Sequence, residues 1–284
     1  MPDTALAIPL GLSLTRGALR LLSRTVPAVA SRVAADLFMT PRRFAAPPRE
    51  RVSLENATPF EVRVGAELTV QAWRWGSGPV VILVHGWEGR GSQLTPFVGP
   101  LVDAGHTVIT FDAPGHGKSR GSRSSLPHFM WALRSVAEAV GEPFAILAHS
   151  LGCAAATLAL RDGLAAERLV FVSPPLNPVE YTRRFGEILG LDDDIIDRMR
   201  VRIEERFLRK WSDYSLAATA REMTARLLVI HDRDDIETLW SDGAELARVW
   251  PGARLVSTEG LGHRRILRDS TVVSTATEFI AARE

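Results

Sequence analysis

Residues 144–156 read Phe-Ala-Ile-Leu-Ala-His-Ser-Leu-Gly-Cys-Ala-Ala-Ala, and this stretch decides the fold. Its first five residues are apolar and predict a buried strand, while the Ala- and Leu-rich residues 151–160 predict a helix. Only His149 and Ser150 lie between the two elements, so the connection must be a very tight turn. A serine at such a corner is lifted clear of the sheet, as in the Gly-x-Ser-x-Gly nucleophile elbow. Ala148 replaces the first glycine but is also small; the motif alone leaves an ordinary strand-to-helix turn as the alternative.

Length and composition narrow the class of protein. The chain has 284 residues, of which 46% are hydrophobic, so it can bury the core of one large domain with an insertion. The net charge is +1 and no basic stretch alternates with aromatic residues, which argues against a nucleic-acid partner. The single cysteine, Cys153, excludes an intrachain disulfide framework and a cysteine-based zinc site. No run of about 18 apolar residues and no secretory signal is present, so we expect a soluble, cytoplasmic protein without a transmembrane segment.

Residues 1–48 form a separate amphipathic helical extension. Leucines recur at helical spacing between Leu10 and Leu22, with arginines on another side of the same helix, and a second helical piece lies near residues 29–38. Prolines at 41, 47 and 48 predict a linker. Four interpretations stay open: docking on the main domain, a homodimer contact, association with a membrane surface, or a targeting or disordered segment.

The remainder alternates between strands and helices. Apolar alternation from Phe60 to Trp75, interrupted by Gly65-Ala66, predicts an opening β-hairpin. Apolar runs then predict buried strands at 80–84, 107–111, 144–148, 169–172 and 227–230, and residues 255–258 are predicted to form the last strand. Helical patterns separate these runs, for example at residues 93–104 and 126–140. We therefore predict an α/β fold with a mostly parallel sheet and helices on both faces, its core formed by residues 49–172 and 224–284.

One insertion interrupts this alternation. Residues 173–223 contain no strand pattern, and about 50 residues are too many for a plain connection. A helical stripe within them predicts a small helical lid: Ile195, Ile196, Met199, Ile203 and Phe207. An ordinary pair of solvated helices is the alternative interpretation.

Polar motifs follow the predicted strands directly, at the strand ends where ligands bind in open parallel sheets. They are His85-Gly86-Trp87-Glu88, the turn from Asp112 to Ser119, the Ser150 elbow, His231-Asp232-Arg233-Asp234-Asp235 and Gly260-Leu261-Gly262-His263. In this order, over residues 60–284, the motifs resemble the α/β-hydrolase fold superfamily. Residues 260–269 are also similar to a functionally uncharacterised bacterial group of these hydrolases.

The resemblance implies a chain order of serine, acid and histidine. Ser150 would be the nucleophile and His263 the base that accepts its proton. Asp235 would orient the base, with Asp234 and Asp232 as the alternatives. The backbone N–H groups of Trp87 and Leu151 would form the oxyanion hole. Gly86, Trp87 and His149 would contact the substrate.

These residues predict a serine hydrolase without a cofactor or metal ion. The predicted reaction is cleavage of an ester-type bond of a small-to-medium apolar acyl substrate through a Ser-His-Asp triad and an acyl-enzyme. The predicted partner is the small acyl substrate, with a homodimer or membrane-surface contact through residues 1–48 left open. Two alternatives remain: hydrolysis of a thioester or carbon–carbon bond by the same triad, and a non-catalytic binding protein that keeps the fold.

Overall fold

The computed structural model describes residues 10–282, within which eight strands form one sheet in the order β1-β2-β4-β3-β5-β6-β7-β8. The first two strands form an antiparallel hairpin, β2 also pairs antiparallel with β4, and all other neighbouring pairs are parallel. The predicted mostly parallel sheet with an opening hairpin is therefore confirmed. The strands are β1 Thr58–Val64, β2 Leu68–Trp75, β3 Val80–Val84, β4 Thr107–Phe111, β5 Ala145–His149, β6 Arg168–Val172, β7 Arg226–Asp232 and β8 Arg254–Thr258.

Helices occupy most of the remaining chain. Among the helices of residues 10–282, none is long and apolar enough to cross a bilayer. Three short 3₁₀ helices, Gly91–Phe97, Trp211–Tyr214 and Ile266–Arg268, accompany the α-helices. The α-helices are α1 Leu10–Thr25, α2 Pro27–Phe38, α3 Pro48–Ser53, α4 Val98–Asp103, α5 Leu126–Val140, α6 Leu151–Arg161, α7 Glu180–Leu189, α8 Asp193–Phe207, α9 Leu216–Ala220, α10 Trp240–Val249, α11 Gly262–Arg265 and α12 Ser270–Ala281.

The central strands are apolar on both faces. Val81 and Leu83 of β3 point to one face, where they share a cluster with Phe279 of α12. Ile82 and Val84 alternate with them and therefore point to the opposite face. All four β3 side chains are fully buried, as expected for parallel strands covered by helices on both sides. This double burial is the reason that continuous apolar runs located the strands.

The chain divides into two compact units, and the smaller one combines the described residues up to Thr40 with Pro178–Asp213. Within it, α2 packs against α8 and α1 packs against α2 and α7. The stripe predicted on α8 is buried in the core of this unit, against Leu19 of α1 and a small-residue face of α2: Ala30, Ala34 and Ala35. The N-terminal helices therefore pack on the inserted helices, and the apolar side chains of α8 are occupied by that packing.

The N-terminal boundary differs from the predicted end of the extension at residue 48. The smaller unit ends at Thr40, and residues 41–48 belong to the larger unit. Arg42 bonds to the carboxylate of Glu88, and Arg43 bonds to backbone carbonyls in the loop after β4. These contacts hold the predicted linker on the larger unit.

The inserted segment is shorter than the predicted range of 173–223. Only Pro178–Asp213 folds with the N-terminal helices. Tyr214 and Leu216 are buried in the larger unit, where the Leu216 N–H donates to the Leu176 carbonyl. Because these residues contribute to the core of the larger unit, the insertion ends before them.

The helix predicted over residues 93–104 is split into two elements. A 3₁₀ helix covers Gly91–Phe97, and α4 follows from Val98 to Asp103. Pro96 lies inside the first element. Because proline has no N–H to donate and its ring collides with the preceding turn, a regular α-helix does not run through this position.

Candidate active site

Ser150 occupies a strained turn between β5 and α6. Its φ is +52° and its ψ is −122°, a backbone conformation that L-residues rarely adopt. The Ser150 N–H donates to the Val172 carbonyl at 3.0 Å, and its own carbonyl accepts from the Cys153 N–H at 2.9 Å. These bonds from β6 and α6 hold the strain in place. The Ser150 side chain is half-buried at the end of β5.

Small residues let the turn approach the neighbouring loop. A Cβ on Gly152 would lie 2.6 Å from the Val84 carbonyl oxygen, so any larger residue would push α6 away from β3. A Cβ on Gly86 would lie 2.9 Å from the Ser150 Cβ. Ala148, which replaces the first glycine of the motif, is fully buried between neighbouring strands. The loop after β3 therefore passes directly against Ser150.

His263 and Asp235 form a hydrogen-bonded pair. His263 Nδ1 lies 2.8 Å from Asp235 Oδ2, and both side chains are buried. Since a carboxylate only accepts, Nδ1 carries the proton and Nε2 is left with a lone pair. Burial opposes ionisation of Asp235, but hydrogen bonds from His231 and His263 outweigh it and hold the pKa of the carboxyl well below its usual range. Asp235 is therefore ionised at neutral pH.

The two alternative acids have other partners. Asp232 accepts hydrogen bonds from the Thr258 hydroxyl and from the N–H groups of Leu261 and Gly262. Asp234 accepts from the Gly260 N–H at 2.8 Å. Both carboxylates thus shape the loop that leads into α11, and Asp235 is the one bonded to His263.

His149 contacts both the backbone and the ring of His263. The His149 Nε2–H donates to the His263 carbonyl at 2.9 Å, and the two ring centroids are 4.6 Å apart. Burial first, and then the neighbouring His263, lower the pKa of His149 to about 3. This neutral, fully packed ring positions the backbone of α11, so the geometry assigns His149 a supporting contact in addition to the substrate contact predicted from sequence.

Two residues to which the sequence analysis gave no role in the site complete this cluster. The Thr238 hydroxyl lies 3.0 Å from Asp235 Oδ2 and 3.2 Å from His263 Nδ1. Buried His231 approaches Asp235 Oδ2 with Nε2 at 3.5 Å. The spacing Asp-x-x-Thr, in which both the Thr238 N–H and its hydroxyl bond to Asp235, is the local signal that could have identified Thr238.

The loop after β3 carries Trp87, one of the two predicted oxyanion residues. Trp87 follows Gly86, is half-buried, and packs its ring edge-to-face on His116 with centroids 5.2 Å apart. His85 precedes them and connects two loops, because its Nε2 accepts from the Ala113 N–H while its Nδ1–H donates to the Gly86 carbonyl. Leu151, the other predicted donor, is the first residue of α6. The N–H groups of residues 87 and 151 thus belong to the two segments that meet at Ser150.

The turn from Asp112 to Ser119 is a structural support. Asp112 is buried and accepts from the Gly91 and Lys118 N–H groups at 2.7 and 2.6 Å. A Cβ on Gly117 would lie 2.0 Å from Asp112 Oδ2, which explains the glycine. Cys153 is also structural: its thiol is buried, donates to the Ala148 carbonyl, and has a pKa raised well above its ordinary value by burial.

Residues 10–282 contain no group of three His, Cys, Asp or Glu side chains arranged to hold a metal ion.

Buried neutral histidines predict acid sensitivity. Burial lowers the pKa of His116 from 6.5 to about 4, and that of His149 from 6.5 to about 3. The unfolded chain binds protons near pH 6.5, whereas the folded protein does not, so stability is full above that pH and falls as the pH drops toward 4. For His116 alone the loss amounts to about 3 kcal/mol. Urea unfolding at a series of pH values between 7 and 4 measures this slope.

A matched variant isolates the histidines from the carboxylates. Replacing both His116 and His149 with glutamine keeps a hydrogen-bonding side chain at each position but removes the titration. We expect a shallower dependence of the unfolding free energy on pH between 6.5 and 4. An identical slope in the wild type and the double variant would contradict the assignment.

The arrangement is that of an α/β protein with a serine on a strand-to-helix elbow and a carboxylate–histidine pair at neighbouring strand ends. The family model described as "Alpha/beta hydrolase family" matches residues 81–276. The chain belongs to this family.

Individual relatives agree with the fold. The chain is 36% identical over 96 residues to the pimeloyl-[acyl-carrier protein] methyl ester esterase of Xylella fastidiosa, covering 31% of this chain and 36% of that protein's length. Among solved structures, the Pyrococcus furiosus esterase Pf2001 has a TM-score of 0.65 at 18% identity, covering 84% of this chain and 98% of the other. The Bacillus anthracis bromoperoxidase has a TM-score of 0.61 at 18% identity, covering 78% and 99%. At such identities the structures show the fold alone.

Proposed function

We propose that the protein is a serine hydrolase that cleaves an ester-type bond through a Ser150–His263–Asp235 triad and an acyl-enzyme. The observation that carries this proposal is the 2.8 Å contact between Asp235 Oδ2 and His263 Nδ1. This contact favours the neutral tautomer of His263 with its proton on Nδ1, in which the lone pair on Nε2 can act as a base. Strained backbone conformations cluster at active sites, so the strained turn at Ser150 also supports the proposal.

In the first half of the reaction, Ser150 Oγ attacks the ester carbonyl carbon while its proton passes to His263 Nε2. Ionised Asp235 then stabilises the imidazolium that forms. The negative charge on the carbonyl oxygen is received by the N–H groups of Trp87 and Leu151. Return of the proton from Nε2 to the leaving oxygen releases the alcohol and leaves the acyl group on Ser150.

In the second half, water replaces the alcohol. His263 Nε2 removes a proton from water, the resulting hydroxide attacks the acyl carbon, and the same two N–H groups receive the oxyanion. Collapse of this intermediate returns the proton to Ser150 Oγ and releases the carboxylic acid. No cofactor or metal ion takes part in this scheme.

We propose a small-to-medium apolar acyl group as the substrate class. Half-buried Trp87, which follows the Gly86 that approaches Ser150, supports an apolar wall near the reacting carbon. The relative named as a methyl ester esterase supports ester rather than peptide cleavage. The stripe on α8 gives no such support, because its side chains are occupied in the core of the smaller unit.

The proposal is tested with p-nitrophenyl esters from acetate to dodecanoate. We expect turnover, with kcat/KM highest for a short or medium chain and falling for the longest one. A thioester with the same acyl group, assayed in parallel, separates an esterase from a thioesterase. Well-folded protein that turns over no ester or thioester in the panel would favour the non-catalytic binding alternative.

A further inference from the structure

We propose that the ion pair between Arg42 and Glu88 is a positioning device for the Gly86–Trp87 segment, and thereby for one donor of the oxyanion hole. This inference rests on the proposed function. It assigns a positioning role to Arg42, which lies in the segment 41–48 that precedes the sheet and whose sequence predicts only a linker.

The Arg42–Glu88 pair is bidentate. Arg42 Nε lies 2.9 Å from Glu88 Oε1, and Arg42 Nη2 lies 2.8 Å from Oε2. The Arg42 backbone N–H adds a third bond to Oε1 at 3.1 Å. Burial opposes ionisation of Glu88, but the bonds from Arg42 outweigh it and lower the pKa of that carboxyl. Both groups are therefore charged at neutral pH, and the planar fork fixes the direction of the Glu88 side chain.

Glu88 has an unusual backbone that this pair helps to hold. Its φ is +54°, in the left-handed region that favours glycine. Its N–H donates to His116 Nε2 at 3.1 Å, while the His116 Nδ1–H donates to the Pro114 carbonyl. Glu88 is thus held at its carboxylate by Arg42 and at its N–H by the loop after β4.

The next arginine holds that second loop. Arg43 donates to four backbone carbonyls of the turn that contains His116: those of Gly115, Gly117, Ser119 and Gly121. The consecutive residues Arg42 and Arg43 therefore contact both of the loops that His116 connects. Together these contacts form a closed ring of interactions that runs from Arg42 through Glu88 and His116 to Arg43. Such a ring resists displacement of either loop more than one contact would.

A second ion pair holds the same loop two residues further on. Glu50 of α3 accepts from Arg90 Nε at 2.7 Å and from Arg90 Nη2 at 2.9 Å, and from the Ser92 hydroxyl at 2.8 Å. Glu50 is only 4% exposed. Arg42 and Glu50 therefore form ion pairs with the loop after β3 at Glu88 and Arg90, respectively.

The held segment adjoins the nucleophile. Gly86 is two residues before Glu88, and a Cβ built on Gly86 would lie 2.9 Å from the Ser150 Cβ. Trp87, whose N–H is the proposed oxyanion donor, lies between them. Because donors in an oxyanion hole must be placed in advance, a shift of this peptide lowers the rate more than it weakens substrate binding.

Because Arg42 is exposed, its effect on the catalytic rate can be measured apart from any effect on protein stability. The Arg42 side chain is 75% exposed, whereas that of Glu88 is 13% exposed. An ion pair with one partner in water contributes little to the free energy of unfolding. Removing Arg42 should therefore leave the protein folded, with its thermal midpoint close to that of the wild type, while the rate changes.

The test compares Arg42→Ala, Glu88→Gln and the double variant with the wild type on the best ester substrate. We expect kcat to fall about tenfold in each single variant, with KM changed by less than about twofold. We expect the double variant to be no slower than either single variant, because both remove the same interaction. Arg42→Lys, which keeps the charge but not the fork, should give an intermediate kcat. Arg49→Ala, at an exposed arginine of α3, is the matched control and should match the wild type.

Three outcomes would each overturn the inference that the Arg42–Glu88 pair positions the Gly86–Trp87 segment. Unchanged kcat in both single variants, or a change in KM alone, would overturn the inference while leaving the triad proposal intact. A loss of kcat that follows a lowered thermal midpoint would assign the pair to stability and also overturn it. A folded wild type without turnover would overturn the proposed function and this inference together.

Discussion

Replacing Ser150 with alanine is expected to lower kcat for ester hydrolysis by on the order of 10⁵-fold or more. Ser150 Oγ is the atom that forms the acyl bond in the proposed reaction, and no neighbouring side chain can replace it. Cys153, the nearest alternative nucleophile in sequence, is buried and has a raised thiol pKa. Steady-state assays at high enzyme concentration, with the thermal midpoint as a check on folding, measure the effect.

Ser173 provides a matched control. It also follows a parallel strand, β6, and its φ of +52° equals that of Ser150. Its side chain is fully buried, and its hydroxyl has no hydrogen-bond partner within the described structure. Ser173→Ala should therefore keep wild-type kcat. Equal activity of Ser150→Ala and Ser173→Ala would remove Ser150 from the chemistry.

Replacing Asp235 with asparagine is expected to lower kcat by about 10⁴-fold. The amide keeps the size of the carboxylate but loses its charge, so it stabilises the protonated His263 ring far less. An amide N–H facing His263 would also favour the wrong ring tautomer, with the proton on Nε2. The expected change is in kcat, with a smaller effect on KM, because the interaction strengthens as His263 gains its proton.

The neighbouring carboxylate tests the specificity of this effect. Asp234 accepts from the Gly260 N–H and is exposed. Asp234→Asn should keep kcat within about threefold of the wild type, because the exposed side chain can still accept that bond through its carbonyl oxygen. If Asp234→Asn lost as much activity as Asp235→Asn, the assignment of the triad acid would be wrong.

The strands were predictable because burial on both faces leaves a continuous apolar run. β3 and β4 have the predicted bounds, since all their side chains except that of Val80 are buried. β7 extends past its apolar run to Asp232, because its polar end is paired with β8 and the Asp232 carboxylate is satisfied by backbone N–H groups. Hydropathy alone gives no indication of such a polar strand end.

Parts of the site were predictable from the resemblance to the α/β-hydrolase superfamily, and others depend on contacts between distant segments. The resemblance favoured Asp235 because the acid of the superfamily usually lies four residues after a histidine, here His231, and Asp235 is the acid bonded to His263. The bond between Arg42 and Glu88 joins residues 46 positions apart. No periodicity or short motif encodes that contact, so residues 41–48 were predicted only as a linker.

The smaller unit shows the same limit of local patterns. The stripe on α8 was correctly predicted to be apolar and helical, but the pattern does not identify the surface that covers it. In the structure that surface is α2, whose Ala30, Ala34 and Ala35 allow close packing against α8. Alanine is common in any helix, so this complementarity becomes visible only when both helices are seen together.

The most direct test of the central claim, that Ser150 is an activated nucleophile, is intact-mass analysis after reaction with a fluorophosphonate probe. An activated Ser150 predicts one adduct on the wild-type protein, mapped by peptide analysis to Ser150. It also predicts no adduct on Ser150→Ala and a much slower reaction for Asp235→Asn. An adduct on another residue, or an unreacted wild-type protein that is demonstrably folded, would contradict the account.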